Sequence, residues 1–178
     1  MLYGVGNNFI KMPSSYPHTI LPILQTIENL KPKSILDIGF GRGKYGFLIK
    51  EYFPSIKCDG LEVFENYITE LQKQIYGKIF IRNALNTEIR PYDLYLLIDI
   101  IEHWERPEVY KLLDKLLENG NVIIATPNKF IEQGEVNGNK WETHKSFWVD
   151  MDFRKYSRFI IQNDLSLIMV LYGVGQSK

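Results

Sequence analysis

The sequence predicts an α/β fold: a doubly wound, mostly parallel seven-stranded sheet with helices on both faces and an antiparallel C-terminal hairpin. Three observations carry this prediction. Short apolar segments alternate with helical patterns five times, which favours parallel strands joined by right-handed crossovers. Leu94–Ile98 is a continuous apolar run, typical of a strand buried on both faces. Two apolar segments around Asn163 and Asp164 then predict a closing hairpin.

The individual elements follow from apolar spacing and from the turn residues between them. The predicted strands span residues 34–38, 57–62, 78–82, 94–98, 121–125, 159–162 and 165–172. The predicted helices span residues 15–30, 44–52, 65–76, 107–118 and 147–156. The segment 126–145 has no apolar periodicity, and a long irregular stretch of this kind favours a functional loop.

Length and composition indicate one globular domain over residues 1–178. The 21 basic and 21 acidic side chains cancel, so the charge balance gives no signal for nucleic acid or for an anionic membrane surface. No apolar run reaches the ~18 residues of a membrane-spanning helix, and the start of the chain lacks a signal-peptide pattern. The single cysteine, Cys58, fits a reducing compartment, and we expect a cytoplasmic protein.

A glycine-rich turn after the first predicted strand is the strongest functional signal, and three nucleotide-binding patterns compete for it. A phosphate-binding Walker loop requires Gly, four residues and then Gly-Lys-Ser/Thr. Ile38 stands where its first glycine belongs, and Tyr45 replaces the hydroxyl residue that binds magnesium. The sequence therefore excludes this first pattern.

The dinucleotide fingerprint Gly-x-Gly-x-x-Gly is formally present at Gly41, Gly43 and Gly46. Its first glycine falls three residues after the strand ends at Ile38. Asp37 would also place a negative charge before an approaching pyrophosphate. The register therefore disfavours this second pattern and leaves an NAD-dependent oxidoreductase as an alternative.

The third pattern is Asp-x-Gly-x-Gly-x-Gly directly on a strand end, at Asp37, Gly39, Gly41 and Gly43. It suits a cofactor that has no phosphate and carries a cationic end, because glycines allow close approach while the carboxylate orients the charge. In this register ILDIGFGRG resembles motif I of the class I S-adenosylmethionine-dependent methyltransferases. The resemblance implies a Rossmann-like methyltransferase with S-adenosylmethionine as its cofactor.

Further segments resemble the same family in the expected order along the chain. Glu62 ends the second strand, and the resemblance assigns it to the ribose hydroxyls. Asn83 and Ala84 follow the third strand, where the family contacts adenine, although Asn83 replaces the acid that is usual there. Asp99 and Ile100 open the segment DIIEHW, which resembles the Asp-Val-Leu-Glu-His segment of small-molecule methyltransferases. The resemblance adds these five positions to the cofactor site.

Two histidines are the candidate catalytic residues. His103 follows the fourth strand, and His144 lies at the end of segment 126–145, in a His-x-x-Phe element that also resembles the family. The methyl group of S-adenosylmethionine is already activated on sulfonium, so catalysis chiefly requires alignment and a competent nucleophile. Because the pKa of an imidazole lies near neutrality, either histidine suits the role of a general base toward a hydroxyl.

Asp99, Glu102, His103 and His144 also resemble the Glu-x-x-Glu-His…His metal site of small-RNA 3′-terminal 2′-O-methyltransferases of the Hen type. Two carboxylates and two imidazoles can hold a divalent cation that lowers the pKa of vicinal hydroxyls. However, Asp99 replaces the first glutamate, and the Glu-His element also occurs in relatives without a metal. We therefore expect no metal and keep the metal-dependent RNA methyltransferase as an alternative.

The expected reaction is in-line transfer of a methyl group to an oxygen, or less readily a nitrogen, of a small molecule, glycan or lipid. We expect two segments to hold this acceptor: the N-terminal capping segment, residues 1–30, and the loop 126–145. A cofactor-binding module without turnover is the non-enzymatic alternative.

Overall fold

The computed structural model describes residues 14–175, which form one sheet of seven strands with helices on both faces. The strands are β1 (Ser34–Ile38), β2 (Lys57–Glu62), β3 (Ile79–Ile81), β4 (Leu94–Ile98), β5 (Asn121–Pro127), β6 (Arg158–Asn163) and β7 (Ser166–Leu171). The α-helices are α1 (Ile20–Leu30), α2 (Lys44–Tyr52), α3 (Glu70–Ile75) and α4 (Arg106–Leu117).

The strand order is β3-β2-β1-β4-β5-β7-β6. Strands β1 to β5 are parallel, and β7 pairs antiparallel with both β5 and β6. This arrangement confirms the predicted doubly wound sheet and its C-terminal hairpin. The chain order reverses between β1 and β4, which is where open α/β sheets form a crevice for a ligand.

The two faces of the sheet carry separate hydrophobic clusters, and β4 contributes to both by strict alternation. Its Leu94, Leu96 and Ile98 pack with side chains of α1, α2 and the end of α3. Its Tyr95 and Leu97 pack with the apolar stripe of α4. All five side chains are buried, as the continuous apolar run in the sequence predicts.

The predicted helix over residues 65–76 is wrong in its first half. A single 3₁₀ turn covers Glu65–Tyr67, and α3 begins only at Glu70. Thr69 caps α3: its side chain accepts a hydrogen bond from the Leu71 amide, while the Gln72 side chain accepts one from the Thr69 amide. This capping box starts a new helix within the predicted one.

The predicted helix over residues 147–156 is also wrong, since only a 3₁₀ turn at Asp150–Phe153 forms there. Trp148 is fully buried, and its Nε1 donates to the carbonyl of Ile101 and to the hydroxyl of Ser146. These contacts hold the chain extended before Asp150, so tertiary packing outweighs the helical apolar spacing.

Smaller differences concern the ends of elements. β5 continues through Thr126 and Pro127, which pair with β7, so the irregular segment begins at residue 128. A 3₁₀ turn at Pro17–Thr19 precedes α1, and residues 1–13 of the predicted capping segment lie outside the described residues. Within residues 14–175, no helix combines the length and the apolarity that crossing a membrane requires.

Candidate functional site

The glycine loop joins β1 to α2 with three glycines in the left-handed region of φ. Gly39 has φ 70°, Gly41 φ 54° and Gly43 φ 81°. A Cβ on Gly39 would lie 2.6 Å from the Ile100 side chain, so this position requires glycine for two reasons. A Cβ on Gly41 would meet nothing within 4 Å, because that residue borders open space.

Gly43 has a different role from the other two glycines. It precedes α2 as its N-cap and packs against Gln72 and Tyr76, away from the cavities described below. Of the three glycines in the predicted motif, Gly39 and Gly41 therefore line a cavity, whereas Gly43 packs against side chains behind the loop.

Asp37, next to this loop, is almost completely buried although it borders a cavity. Its Oδ2 accepts a hydrogen bond of 2.6 Å from the Tyr76 hydroxyl. Burial raises the pKa of Asp37 to about 7, the Tyr76 hydrogen bond opposes that shift, and the nearby Glu62 adds to it.

Glu62, at the end of β2, is held by three backbone amides. Gly41 N donates to its Oε2 over 2.9 Å, while Val63 N and Phe64 N each donate to Oε1 over 2.8 Å. Burial nevertheless raises its pKa, and these hydrogen bonds lower it. Since a carboxylate oxygen can accept two hydrogen bonds, Oε2 retains capacity for a ligand hydroxyl.

Two cavities meet at Gly39, at the carboxyl ends of the parallel strands. The small cavity, of about 20 Å³, lies beyond β1, β2 and β3. Its lining side chains include Glu62, Asn83, Ala84, Ile100, Trp104 and Trp141. Within this wall the Asn83 amide oxygen accepts a hydrogen bond of 3.0 Å from the Leu85 amide.

The large cavity, of about 270 Å³, extends from the glycine loop to the ends of β4 and β5. The segment Ser14–Tyr16 forms one wall, and residues from the loop after β5 form the opposite wall. Asp99, Glu102, His103 and His144 all line this cavity. The fold thus gathers the four residues of the predicted catalytic and alternative metal sets.

Asp99 follows β4 in a strained left-handed conformation, with φ 49°. Both of its carboxylate oxygens are buried, and neither has a hydrogen bond of normal geometry among residues 14–175. Burial raises the pKa of Asp99, whereas the nearby Ser15 hydroxyl and the Lys44 ammonium lower it. A buried carboxylate without such a partner, facing a cavity, fits a cationic or hydrogen-bonding ligand.

Glu102 and His103 occupy a 3₁₀ turn, Ile101–His103, which begins two residues after Asp99. Glu102 is buried, and its Oε2 accepts a hydrogen bond of 3.1 Å from the Thr126 hydroxyl. Burial, and then the negative charge of Asp99, raises the pKa of Glu102 well above its ordinary value. Burial, together with the neighbouring His144, lowers the pKa of His103 to about 4, so His103 is neutral at pH 7.

His103 and His144 meet edge to face, with ring centroids 4.8 Å apart. His103 Nδ1 lies 3.4 Å from the Thr143 carbonyl oxygen, and His144 Nδ1 lies 2.6 Å from the Ile131 carbonyl oxygen. A carbonyl only accepts, so Nδ1 carries a proton in both rings, and the neutral His103 therefore keeps its lone pair on Nε2. One ligand atom from each of Glu102, His103 and His144 lies within 4.8 Å of the others.

Residues 128–145 form the loop that carries His144, and hydrogen bonds within this loop define its shape. We call it the acceptor loop, after its predicted role in binding the methyl acceptor. Asn137 and Gly138 form a tight turn with φ 51° and 75°, bridged by Val136 and Asn139. The Asn-Gly pair is itself a sequence signal for such a turn. His144 N donates to the Gln133 carbonyl over 2.9 Å, which fixes the end of the loop.

Two residues that the sequence analysis did not single out join the acceptor loop to the glycine loop. The Tyr67 hydroxyl donates to Glu142 Oε1 over 2.7 Å, across 75 positions in the sequence. The Arg42 guanidinium lies 5.1 Å from the centroid of the Tyr67 ring. Tyr67, Glu142 and Arg42 all line the large cavity, so this contact forms part of its wall.

Arg106 anchors the chain just after the acceptor loop. It forms a bidentate ion pair with Asp152, at 2.7 and 3.0 Å, and also donates to the Phe147 carbonyl. Its guanidinium lies 4.9 Å from the centroid of the Trp148 ring. The backbone carbonyl of Glu102 also accepts hydrogen bonds from the amides of residues 145 and 146. Together these contacts hold His144 beside His103.

Comparison with known proteins places this architecture among methyltransferase folds. No family model and no curated protein matches the sequence. The methyltransferase domain of bacterial CtHen1-CN has a similar structure, with TM-score 0.60 and 17% identity, over 84% of this chain and 95% of that one. Magnesium protoporphyrin IX methyltransferase from Synechocystis, solved with bound S-adenosylmethionine, has TM-score 0.60 and 14% identity, over 88% and 77% of the two chains.

An O-methyltransferase family 2 protein from Planctomyces limnophilus, solved in complex with apigenin, is similar as well. It has TM-score 0.60 and 16% identity, and the match covers 79% of this chain and only half of that one, 50%. The fold is that of the class I S-adenosylmethionine-dependent methyltransferases, which confirms the fold that the sequence predicted.

Proposed function

We propose that this protein transfers a methyl group from S-adenosylmethionine to a hydroxyl oxygen of a polar small molecule or glycan. The observation that carries the proposal is the continuity of the site. One cavity runs from the glycine loop at Gly39 and Gly41 to the paired imidazoles of His103 and His144. A cofactor and an acceptor placed at its two ends would meet inside it.

The residues present fit S-adenosylmethionine. Gly41 leaves open space beside the backbone, and Glu62 is oriented by three amides with Oε2 able to accept a ribose hydroxyl. The buried carboxylate of Asp99 suits the cationic end of the cofactor. Lys44, which also lines the cavity, is placed to hold its carboxylate. The small cavity beyond Glu62 is the subsite for adenine.

S-adenosylmethionine, when bound, would supply a methyl group activated on sulfonium for transfer to an acceptor oxygen, with S-adenosylhomocysteine as the leaving group. The half-buried His144 accepts the hydroxyl proton at Nε2, while the Ile131 carbonyl holds its Nδ1–H. His103 stays neutral because it is buried. Its Nε2 accepts a hydrogen bond from the substrate that receives the methyl group, and so orients that substrate. Glu102 fixes the His103 turn through its contact with Thr126.

The wall of the cavity away from the glycine loop favours a polar acceptor. Its lining residues include His103, His144, Gln133, Glu142, Ser14 and Ser15. These groups suit an acceptor with several hydroxyls better than an apolar chain, because hydroxyls can hydrogen-bond to them.

The proposal is tested with His144→Gln and His103→Gln, assayed for S-adenosylhomocysteine production on a panel of sugars, phenols and polar alcohols. A general base contributes roughly 100- to 10,000-fold, so His144→Gln should lose at least about 100-fold in turnover and keep its affinity for S-adenosylhomocysteine. His18→Gln is the matched control, because His18 contacts Ser166 and does not line the large cavity. Unchanged turnover in both His103 and His144 variants would exclude the proposed role.

A metal-assisted reaction is the second candidate, and one observation favours it. Glu102, His103 and His144 offer ligand atoms within 4.8 Å of one another, and both imidazoles direct Nδ1 to a carbonyl, as metal-bound histidines do. Asp99, the fourth predicted ligand, is not part of this cluster. A bound divalent cation would lower the pKa of an acceptor hydroxyl. Elemental analysis of the purified wild type, compared with that of Glu102→Gln, tests this candidate. A metal-free protein with full turnover excludes it.

A further inference from the structure

The small cavity has one wall that does not come from the ends of the strands. Most of its lining residues follow β1, β2, β3 or β4, but Trp141 belongs to the acceptor loop. The cavity, at about 20 Å³, has room for about one water molecule, so a ligand the size of adenine must displace part of its lining. Trp141 is half-buried and lies on a loop, which makes its indole the part of the wall that can adjust.

Trp141 and its neighbour Glu142 line different cavities. Both lie in the single 3₁₀ turn Lys140–Glu142, yet Trp141 borders the small cavity and Glu142 borders the large one. Asn139 fixes this turn, since its Oδ1 accepts a hydrogen bond of 3.0 Å from the Trp141 amide. Asn139 itself is buried, which anchors the start of the turn.

The same turn is bonded to the catalytic side of the site. Glu142 accepts the hydrogen bond from Tyr67, and its carbonyl accepts one of 2.8 Å from the Gln133 side chain. The next residue, Thr143, offers its carbonyl to His103 Nδ1, and His144 follows directly. A shift of Trp141 therefore moves Thr143 and His144, which follow it within three residues, and it reaches His103 through the Thr143 carbonyl.

We propose that Trp141 is part of the adenine subsite, and that its indole packs on the adenine ring so that cofactor occupancy sets the position of the acceptor loop. The inference rests on the proposed cofactor and deepens it. Its consequence is an ordered reaction: the cofactor binds first and completes the wall against which the acceptor then binds. An indole provides the largest aromatic face for such a contact.

The first test measures the affinity of S-adenosylhomocysteine by isothermal titration for the wild type, Trp141→Ala and Trp141→Phe. Stacking of a base on an aromatic side chain is worth roughly 1–3 kcal/mol, so Trp141→Ala should weaken binding by about 5- to 150-fold. Trp141→Phe should recover most of that loss. Glu135→Ala is the control, because Glu135 is exposed in the same loop and lines neither cavity, and it should bind as the wild type does.

The second test measures how fast trypsin cleaves the acceptor loop in a limited digestion. Trypsin can cleave there after the exposed Lys129, Lys140 and Lys145. Saturating S-adenosylhomocysteine should slow cleavage of the wild-type loop and should not slow it in Trp141→Ala. Equal affinity in all variants, or equal protection in Trp141→Ala, would overturn the inference and leave the proposed function standing. No binding by the wild type would instead remove the proposed function.

Discussion

The Tyr76 hydroxyl donates a hydrogen bond of 2.6 Å to Asp37 Oδ2, in the core behind the glycine loop. Asp37 is the acid of the predicted cofactor motif, and Tyr76 ends α3, 39 positions later. The carboxyl group is therefore held from behind by a buried phenol while it borders the large cavity. The pKa of Asp37 therefore depends both on packing in the core and on the surroundings of the cavity.

The first prediction concerns how stability depends on pH through Asp37. The pKa of Asp37 is about 7 in the folded protein, whereas the ordinary value of an aspartate, which applies to the unfolded state, is 3.8. The folded state keeps the proton as pH rises from 4 to 7 while the unfolded state loses it, so this group stabilises the fold at low pH and that contribution is lost by about pH 7. Asp37→Asn removes the effect.

The free energy of unfolding of Asp37→Asn, relative to the wild type, should therefore increase by about 4 kcal/mol between pH 4 and pH 8. Chemical denaturation at several pH values measures it. Tyr76→Phe provides the comparison, because loss of the hydroxyl should raise the pKa of Asp37 further, so the stability of this variant should keep falling to a higher pH than that of the wild type. Parallel pH profiles for wild type and Asp37→Asn would contradict the assignment.

The second prediction separates folding from binding with two glycines of one loop. In Gly39→Ala the new Cβ would collide with Ile100, and φ 70° would be strained as well. In Gly41→Ala only the left-handed backbone, with φ 54°, is penalised, at about 1–2 kcal/mol. We expect Gly39→Ala to lower the melting temperature strongly, and Gly41→Ala to stay folded but bind S-adenosylhomocysteine weakly, because its methyl group enters the cavity.

Melting curves and titration calorimetry on both variants check this pair. The reverse order of melting temperatures would show that Ile100 yields to the extra methyl group. Normal cofactor affinity in Gly41→Ala would show that the open space beside Gly41 is not part of the cofactor site.

The third prediction concerns the anchor that follows the acceptor loop. Arg106→Lys cannot reproduce the bidentate contact with Asp152 together with the hydrogen bond to the Phe147 carbonyl. We expect a loss of about 1–2 kcal/mol in the free energy of unfolding. Lys155→Ala removes the exposed ion pair with Asp114 and should change stability by less than about 1 kcal/mol. Equal losses in the two variants would contradict the anchoring role.

The sheet was predictable because its pattern is local. The apolar run Leu94–Ile98 and the turn residues between segments require no knowledge of distant contacts. The two helix predictions failed for opposite reasons. Thr69 interrupts residues 65–76 with a local cap, whereas distant contacts from Ile101 and Arg106 hold the region around Trp148 out of a helix.

The residues of the site likewise fall into those that a local pattern predicts and those that only distant contacts bring together. Strand-end positions such as Gly39, Glu62 and Asp99 were found because parallel topology brings the carboxyl ends of strands together. Their roles stay predictions, but their placement at the two cavities follows from the register of the sheet. The contact of Tyr67 with Glu142 was not predictable, because it joins residues 75 positions apart and no local pattern marks either one.

The most direct test of the central claim is isothermal titration of the wild-type protein with S-adenosylhomocysteine and, separately, with NAD. The register of Asp37 and the open space beside Gly41 predict binding of one S-adenosylhomocysteine per chain and no binding of NAD. Binding of NAD without binding of S-adenosylhomocysteine would contradict the account.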